Sequence, residues 1–247
     1  MTKNPAWKGT SWTVKNIFEL KNAQRVVVRR NILQYNWDGA QPGYAVVFSP
    51  RNTSKQTPWV VVQDVEFSGN IVSHSGGAFN ILGFGDTAPS GLSARIVISN
   101  NLVFEIDHTV WGGAGVFAQL GGEPKDVTFD HNTIMHTGNI VTFYSGKYTD
   151  STGVRRTGGP ITGFRFTNNL VKHNAYGIFG SGRGYGNDSL TFYAPGAIVT
   201  ANAIASDKPM ASRYPAGNTF PTLAAFNAAF HNAAAYDFRL TPASTYR

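Results

Sequence analysis

The chain has 247 residues and no cysteine, which excludes disulfides, thiolate metal sites and cysteine nucleophiles. Its length suits one domain, and a 42% hydrophobic content supports a continuous core, while 27 Gly and 12 Pro favour turns and short strands over long helices. Only 14% of residues are charged, yet the balance is +7, so the surface attracts polyanions such as acidic polysaccharide, nucleic acid or anionic lipid.

No stretch approaches the roughly 18 apolar residues of a membrane span. The opening residues Met1-Thr2-Lys3-Asn4-Pro5-Ala6-Trp7 lack the apolar segment of a signal peptide, so no export signal is expected in this chain.

One phrase then recurs along the chain: an alternating β-rich run, an Asn, and two apolar residues. A degenerate copy runs from Trp12 to Phe18 around Asn16. Clear copies follow at Arg25–Leu33 around Asn31, Asp64–Val72 around Asn70, and Arg95–Val103 around Asn101. Further copies centre on Asn132, Asn169 and Asn202. Successive Asn positions are 15, 39, 31, 31, 37 and 33 residues apart. A strict motif at irregular spacing implies stacked coils with insertions confined to loops.

Period-2 alternation places Val26 with Val28, Val65 with Phe67, and Phe164 with Phe166 on one face. The repeated Asn is expected at a tight left-handed corner, its amide bonding the equivalent Asn one coil away. A second strand follows each Asn, then a Gly-rich corner. A third strand comes next: Tyr44–Phe48, Phe79–Leu82, Val116–Gln119, Val141–Tyr144 and Tyr176–Phe179. Variable loops follow it at 49–63, 84–94, 120–125, 145–162 and 180–196. The predicted fold is all-β: a right-handed parallel β-helix of about seven coils over 1–221. Over 222–247, Leu223, Phe226 and Phe230 at helical spacing predict a short helical cap and tail of the same domain, closing the C-terminal end.

The phrase Phe18-Glu19-Leu20-Lys21-Asn22-Ala23, the Asn-apolar-apolar coils and Asn174-Ala175-Tyr176-Gly177-Ile178 together resemble the right-handed parallel β-helix repeat proteins of environmental bacteria. Those proteins are related in fold to pectate lyases and other polysaccharide-active enzymes. The resemblance covers nearly the whole chain. It implies sugar-polymer binding along the third strand, a secreted or extracellular parent protein, and no particular reaction.

The loops after that strand carry Arg51, Lys55, Lys147, Arg155, Arg156 and Arg183, which stacking would gather along one edge. Such a wall suits a uronate polymer, because Arg holds a carboxylate through two parallel hydrogen bonds; solvated loop charge is the plainer alternative. Tyr44, Asn80, Trp111, Gln119, Tyr144 and Tyr185 are expected to line the same groove, aromatic faces against sugar rings and amides against hydroxyls.

Asp86, Asp150 and Asp188 on groove loops, with Asp38, offer paired carboxylates for hydrolysis or a calcium ion bridging a uronate, although none sits in a dense ligand run. Four residues past the repeat Asn lie Tyr35, His74, Glu105, His136 and His173. Parity points this stack inward, with His74, Glu105 and His136 in buried contact. Its structural role is weighed above an acid/base or metal role. Asp130-His131-Asn132 falls at the repeat corner and is assigned to the turn. Gly180-Ser181-Gly182-Arg183-Gly184 lacks the ending of a phosphate loop.

The sequence thus predicts a protein that binds an acidic polysaccharide and cleaves it by elimination or hydrolysis. Arg51, Lys147, Arg183 and Asp86 are the candidate chemical groups. The alternative is a non-catalytic carbohydrate-binding or adhesion solenoid using the same groove. Nucleic acid is not an expected partner, since the basic loops carry no helix or stacking platform of known type.

Overall fold

The computed structural model describes residues 13–150 and 152–247. Three six-stranded sheets, parallel throughout, carry most of the chain. The first contains Phe18–Leu20, Tyr44–Phe48, Gly77–Leu82, Val116–Gly121, Val141–Tyr144 and Ile178–Gly180. The second contains Ala23–Arg29, Val62–Ser68, Ala94–Ser99, Lys125–Asp130, Arg165–Thr167 and Ile198–Thr200. The third contains Ile32–Asn36, Ile71–Ser75, Leu102–Ile106, Thr133–His136, Leu170–Lys172 and Ala203–Ala205. The chain visits the sheets in strict rotation, and each strand pairs with its counterpart one circuit later. The arrangement fits a parallel β-helix.

The described residues make six circuits, where the sequence predicts about seven. Phe18–Leu20 already belongs to the first sheet, paired with Val46–Phe48. The phrase around Asn16 is therefore not a rung, and Asn16 Nδ2 donates to Gln41 Oε1 at 3.2 Å instead of joining the Asn series. Trp12 lies outside the described residues.

Inward columns make the core. Val28, Phe67, Ile98, Phe129, Phe166 and Val199 stack in register in the second sheet. Leu33, Val72, Val103, Ile134, Val171 and Ile204 do so in the third. Between the sheets Phe67, Phe79, Phe117 and Phe129 form an edge-to-face series with centroids 5.1–5.4 Å apart. No circuit could bury these faces alone, so stacking supplies the core.

The corner Asn residues form a ladder. Asn31, Asn70, Asn101, Asn132 and Asn169 each donate backbone N–H and Nδ2 to Oδ1 of the next Asn, ending on Asn202. Asn218 extends the series by accepting both donors of Asn202. The left-handed conformation expected of the Asn belongs to the residue before it. Arg30, Gly69, Asn100, His131, Asn168 and Ala201 have φ between 53° and 64°.

Of the expected inward stack of Tyr35, His74, Glu105, His136 and His173, the last two histidines are buried, and the first three are corrected. Tyr35, His74 and Glu105 have φ of 69°, 56° and 51° and form outward bulges, because a left-handed residue breaks the alternation that parity assumed. His74 Nε2 lies 2.7 Å from Glu105 Oε2. The next circuit omits the bulge residue, so His136 pairs with Ile106 and enters the core instead. Burial then lowers its pKa to about 4.

The C-terminal helix, Leu223–Ala228, starts from a Thr222 cap bonded to Ala225 N–H. It does not lie over the end of the solenoid. Phe226 and Phe230, with the hairpin Phe230–Asn232/Asp237–Leu240, pack on Phe104, Met135, Leu102 and Leu170 of the third sheet's outer face. The last circuit is covered instead by Met210, Tyr214 and the 217–221 segment, where Thr219 and Ile204 are joined at 2.9 Å. No helix among the described residues is long and apolar enough to cross a membrane.

Candidate functional site

The outer face of the first sheet presents one residue per circuit in a single column: Glu19, Val47, Asn80, Gln119, Thr142 and Phe179. Adjacent rungs of a sheet lie about 4.8 Å apart. Asn80 and Gln119 thus stand side by side and point outward, as their chemistry in an apolar strand requires.

Two tyrosines lie flat on this face because glycines make room for them. The Tyr44 ring covers Gly77 and the Tyr144 ring covers Gly121, and a Cβ at either glycine would collide with the ring. Tyr44 donates its hydroxyl to Gln119 Oε1 at 3.0 Å. Tyr144 also bonds Gln119, and burial raises the pKa of both phenols. Gln119 is held from both sides, whereas Asn80 Oδ1 and Ser49 Oγ are buried with no hydrogen-bond partner among the described residues.

Val47, Asn80 and Tyr144 floor a cleft of about 630 Å³ over the first circuits, with Lys15, Lys21, Arg51, Lys147 and Arg155 around it against Glu19 and Asp86. Five cations against two carboxylates leave an excess of three positive charges. The wall is braced rather than loose. Arg51 pairs with Asp86, Arg155 donates to the Asp86 carbonyl, and Phe84 stacks on Tyr148 at 4.4 Å. The loops after the second, third and fifth strands of the first sheet are thereby tied together, the last of them the hairpin Lys147–Thr149/Arg155–Thr157.

Of the expected groove residues, Arg51, Lys147, Asp86, Asn80 and Tyr144 meet in the cleft, and Tyr44 and Gln119 adjoin it. Three are elsewhere. Arg183 stacks over Phe192 at 3.8 Å on the loop beyond the last first-sheet strand. Tyr185 packs near His173 at that same end, 5.3 Å between rings. Trp111 is buried against Tyr35 and His74 at the opposite corner of the coil. Its helix carries it there, since Asp107 caps His108–Trp111 immediately after the third-sheet strand.

Lys55 does not line the cleft, and Arg156 turns to Asp150 at 2.7 Å. Hydrogen bonds from Thr152 and Arg156 hold Asp150 well below the usual carboxylate range. Among the described residues no three of His, Asp or Glu converge as a metal-binding group, so Asp38, Asp86, Asp150 and Asp188 do not assemble a carboxylate cluster for calcium.

Sequence reasoning missed Lys15, Lys21, Glu19 and Ser49. The signal was present. Phe18-Glu19-Leu20 alternates like the other third strands, which would have put Glu19 and Lys21 at the groove. Compared with known proteins, the chain matches no family model, and no curated protein or solved structure matches it significantly.

Proposed function

We propose that this protein binds an acidic, uronate-type polysaccharide along the outer face of its first sheet, as an extracellular member of the right-handed, pectate-lyase-like β-helix proteins. The observation that carries the reading is the cleft itself, where Lys15, Lys21 and Lys147 border a floor crossed by the outward column of Glu19, Val47 and Asn80. Cations attract the carboxylates and the polar side chains between them suit hydroxyls, a pairing that suits sugars better than lipid or nucleic-acid phosphate.

Binding is favoured over turnover for a specific reason. Arg51, Asp86 and Arg155, the groups best suited to chemistry, are engaged with one another in bracing the loops. The test is titration with polygalacturonate, alginate and a neutral glucan while ultraviolet absorbance is followed. Salt-sensitive binding of the acidic polymers without new absorbance is the expected result. New absorbance would report the unsaturated product of elimination and make the protein a lyase. Equal binding of the neutral glucan would overturn the acidic preference.

A further inference from the structure

We infer that the same face carries a second binding position at Tyr176 and Phe179, where the face of a pyranose ring of the bound polymer stacks. The inference rests on the polysaccharide reading of the cleft and extends it to a site outside the cleft. Phe179 is the last member of the outward column, in register with Thr142 and through it with Gln119 and Asn80. Three rungs separate Asn80 from Phe179, roughly 14 Å along the sheet. A polymer seated at Asn80 and following the column crosses Gln119 and Thr142 and meets the aromatic pair.

The pair has a geometry suited to stacking. The two rings lie 5.2 Å apart and tilted by 33°, and Tyr176 remains 53% exposed even with Phe179 beside it. An apolar ring face with a polar hydroxyl edge matches the two chemistries of a sugar ring. The support beneath is rigid. Gly177, at φ 55°, gives its carbonyl to Ile140 N–H at 2.8 Å and its N–H to His173 at 3.0 Å. Any side chain at Gly177 would collide with Tyr214 and His173. The aromatic pair is therefore held in place before ligand arrives, which spares the ordering cost of binding.

The division of labour is distinct. The cleft reads charge, and the aromatic pair reads the ring face without regard to charge. Affinity should accordingly rise when an oligosaccharide becomes long enough to span both.

The experiment compares a galacturonate disaccharide with a long oligogalacturonate on wild type, Tyr176→Ala, Phe179→Ala and Tyr176→Phe, with melting temperature recorded for each. Both alanine variants should lose about tenfold in affinity for the long oligomer, some 1.4 kcal/mol. Disaccharide affinity should hold, and Tyr176→Phe should bind both ligands as wild type does. Unchanged long-oligomer affinity in both alanine variants would overturn the inference and leave the cleft reading standing. Parallel loss of both ligands with a lowered melting temperature would reduce the pair to a structural role and overturn it too. Failure of wild type to bind either ligand would sink the cleft reading, and this inference with it.

Discussion

Asn101 gives both its backbone N–H and its side-chain amide to one acceptor, Oδ1 of Asn132, at 3.0 and 2.9 Å. Its own Oδ1 serves Asn70 in the same way, and its Nδ2 also reaches the Phe67 carbonyl. One side chain thus satisfies two backbone groups of the preceding circuit at a buried corner and bonds the side chain of the next. Asn101→Leu keeps the backbone N–H bond to Asn132 but removes the four that use the side chain, and strands the Asn70 N–H in a dry site. A loss of roughly 2–4 kcal/mol is expected, since buried unsatisfied groups cost more than a lost bond gains. Urea denaturation of the variant against wild type measures it.

His136 sets a pH dependence. Burial disfavours the imidazolium and holds its folded pKa at about 4, against 6.5 for an unperturbed imidazole. The unfolded chain therefore binds the proton more readily than the folded one between these values. Stability is fully present above pH 6.5 and falls as pH drops towards 4, by about 3 kcal/mol for this group. Burial lowers the His173 pKa as well, with the same sign. Asp130 has a lowered pKa and its contribution disappears only at more acidic pH. Urea midpoints at pH 7 and 4.5 should differ clearly in wild type and less in His136→Leu, whose side chain suits the column shared with Ile106.

Gly121 is the seat of the Tyr144 ring. Gly121→Ala should cost about 1–3 kcal/mol, because the new methyl must displace the ring or shift the strand. Tyr144 would then lose its place beside Gln119 and project into the cleft. Weaker polysaccharide binding together with a modest fall in melting temperature is the expected combination. A variant that binds normally would show that the ring position does not shape the site.

Much of the coil register was legible because a single phrase marks each corner and a one-residue slip would invert every strand. Asn31 through Asn202 could be placed on that ground alone. His136 could not. The missing bulge residue that distinguishes its circuit is a matter of backbone geometry, and an offset counted from Asn132 cannot reveal it. Phe226 and Phe230 announced a buried helix face without saying which surface it covers. The exposed apolar face of the third sheet, with Phe104 and Met135, supplied that answer only in three dimensions. In the cleft, Arg51, Lys147 and Asn80 followed from stacked loops and strand parity. Arg183 and Trp111 did not, because an aromatic partner draws the first aside and a capped helix carries the second to the opposite corner.

The acidic-polymer reading is tested most directly by calorimetric titration of polygalacturonate into two charge-reversed proteins of equal net charge. The first carries Lys21→Glu and Lys147→Glu at the cleft; the second carries Lys125→Glu and Arg165→Glu on the second sheet, away from it. The account predicts that the cleft variant loses most of its affinity, that the second retains it, and that the gap narrows as salt rises and screens the exposed charges. Equal losses in both proteins would mean that net charge alone attracts the polymer, and would contradict the assignment of the cleft.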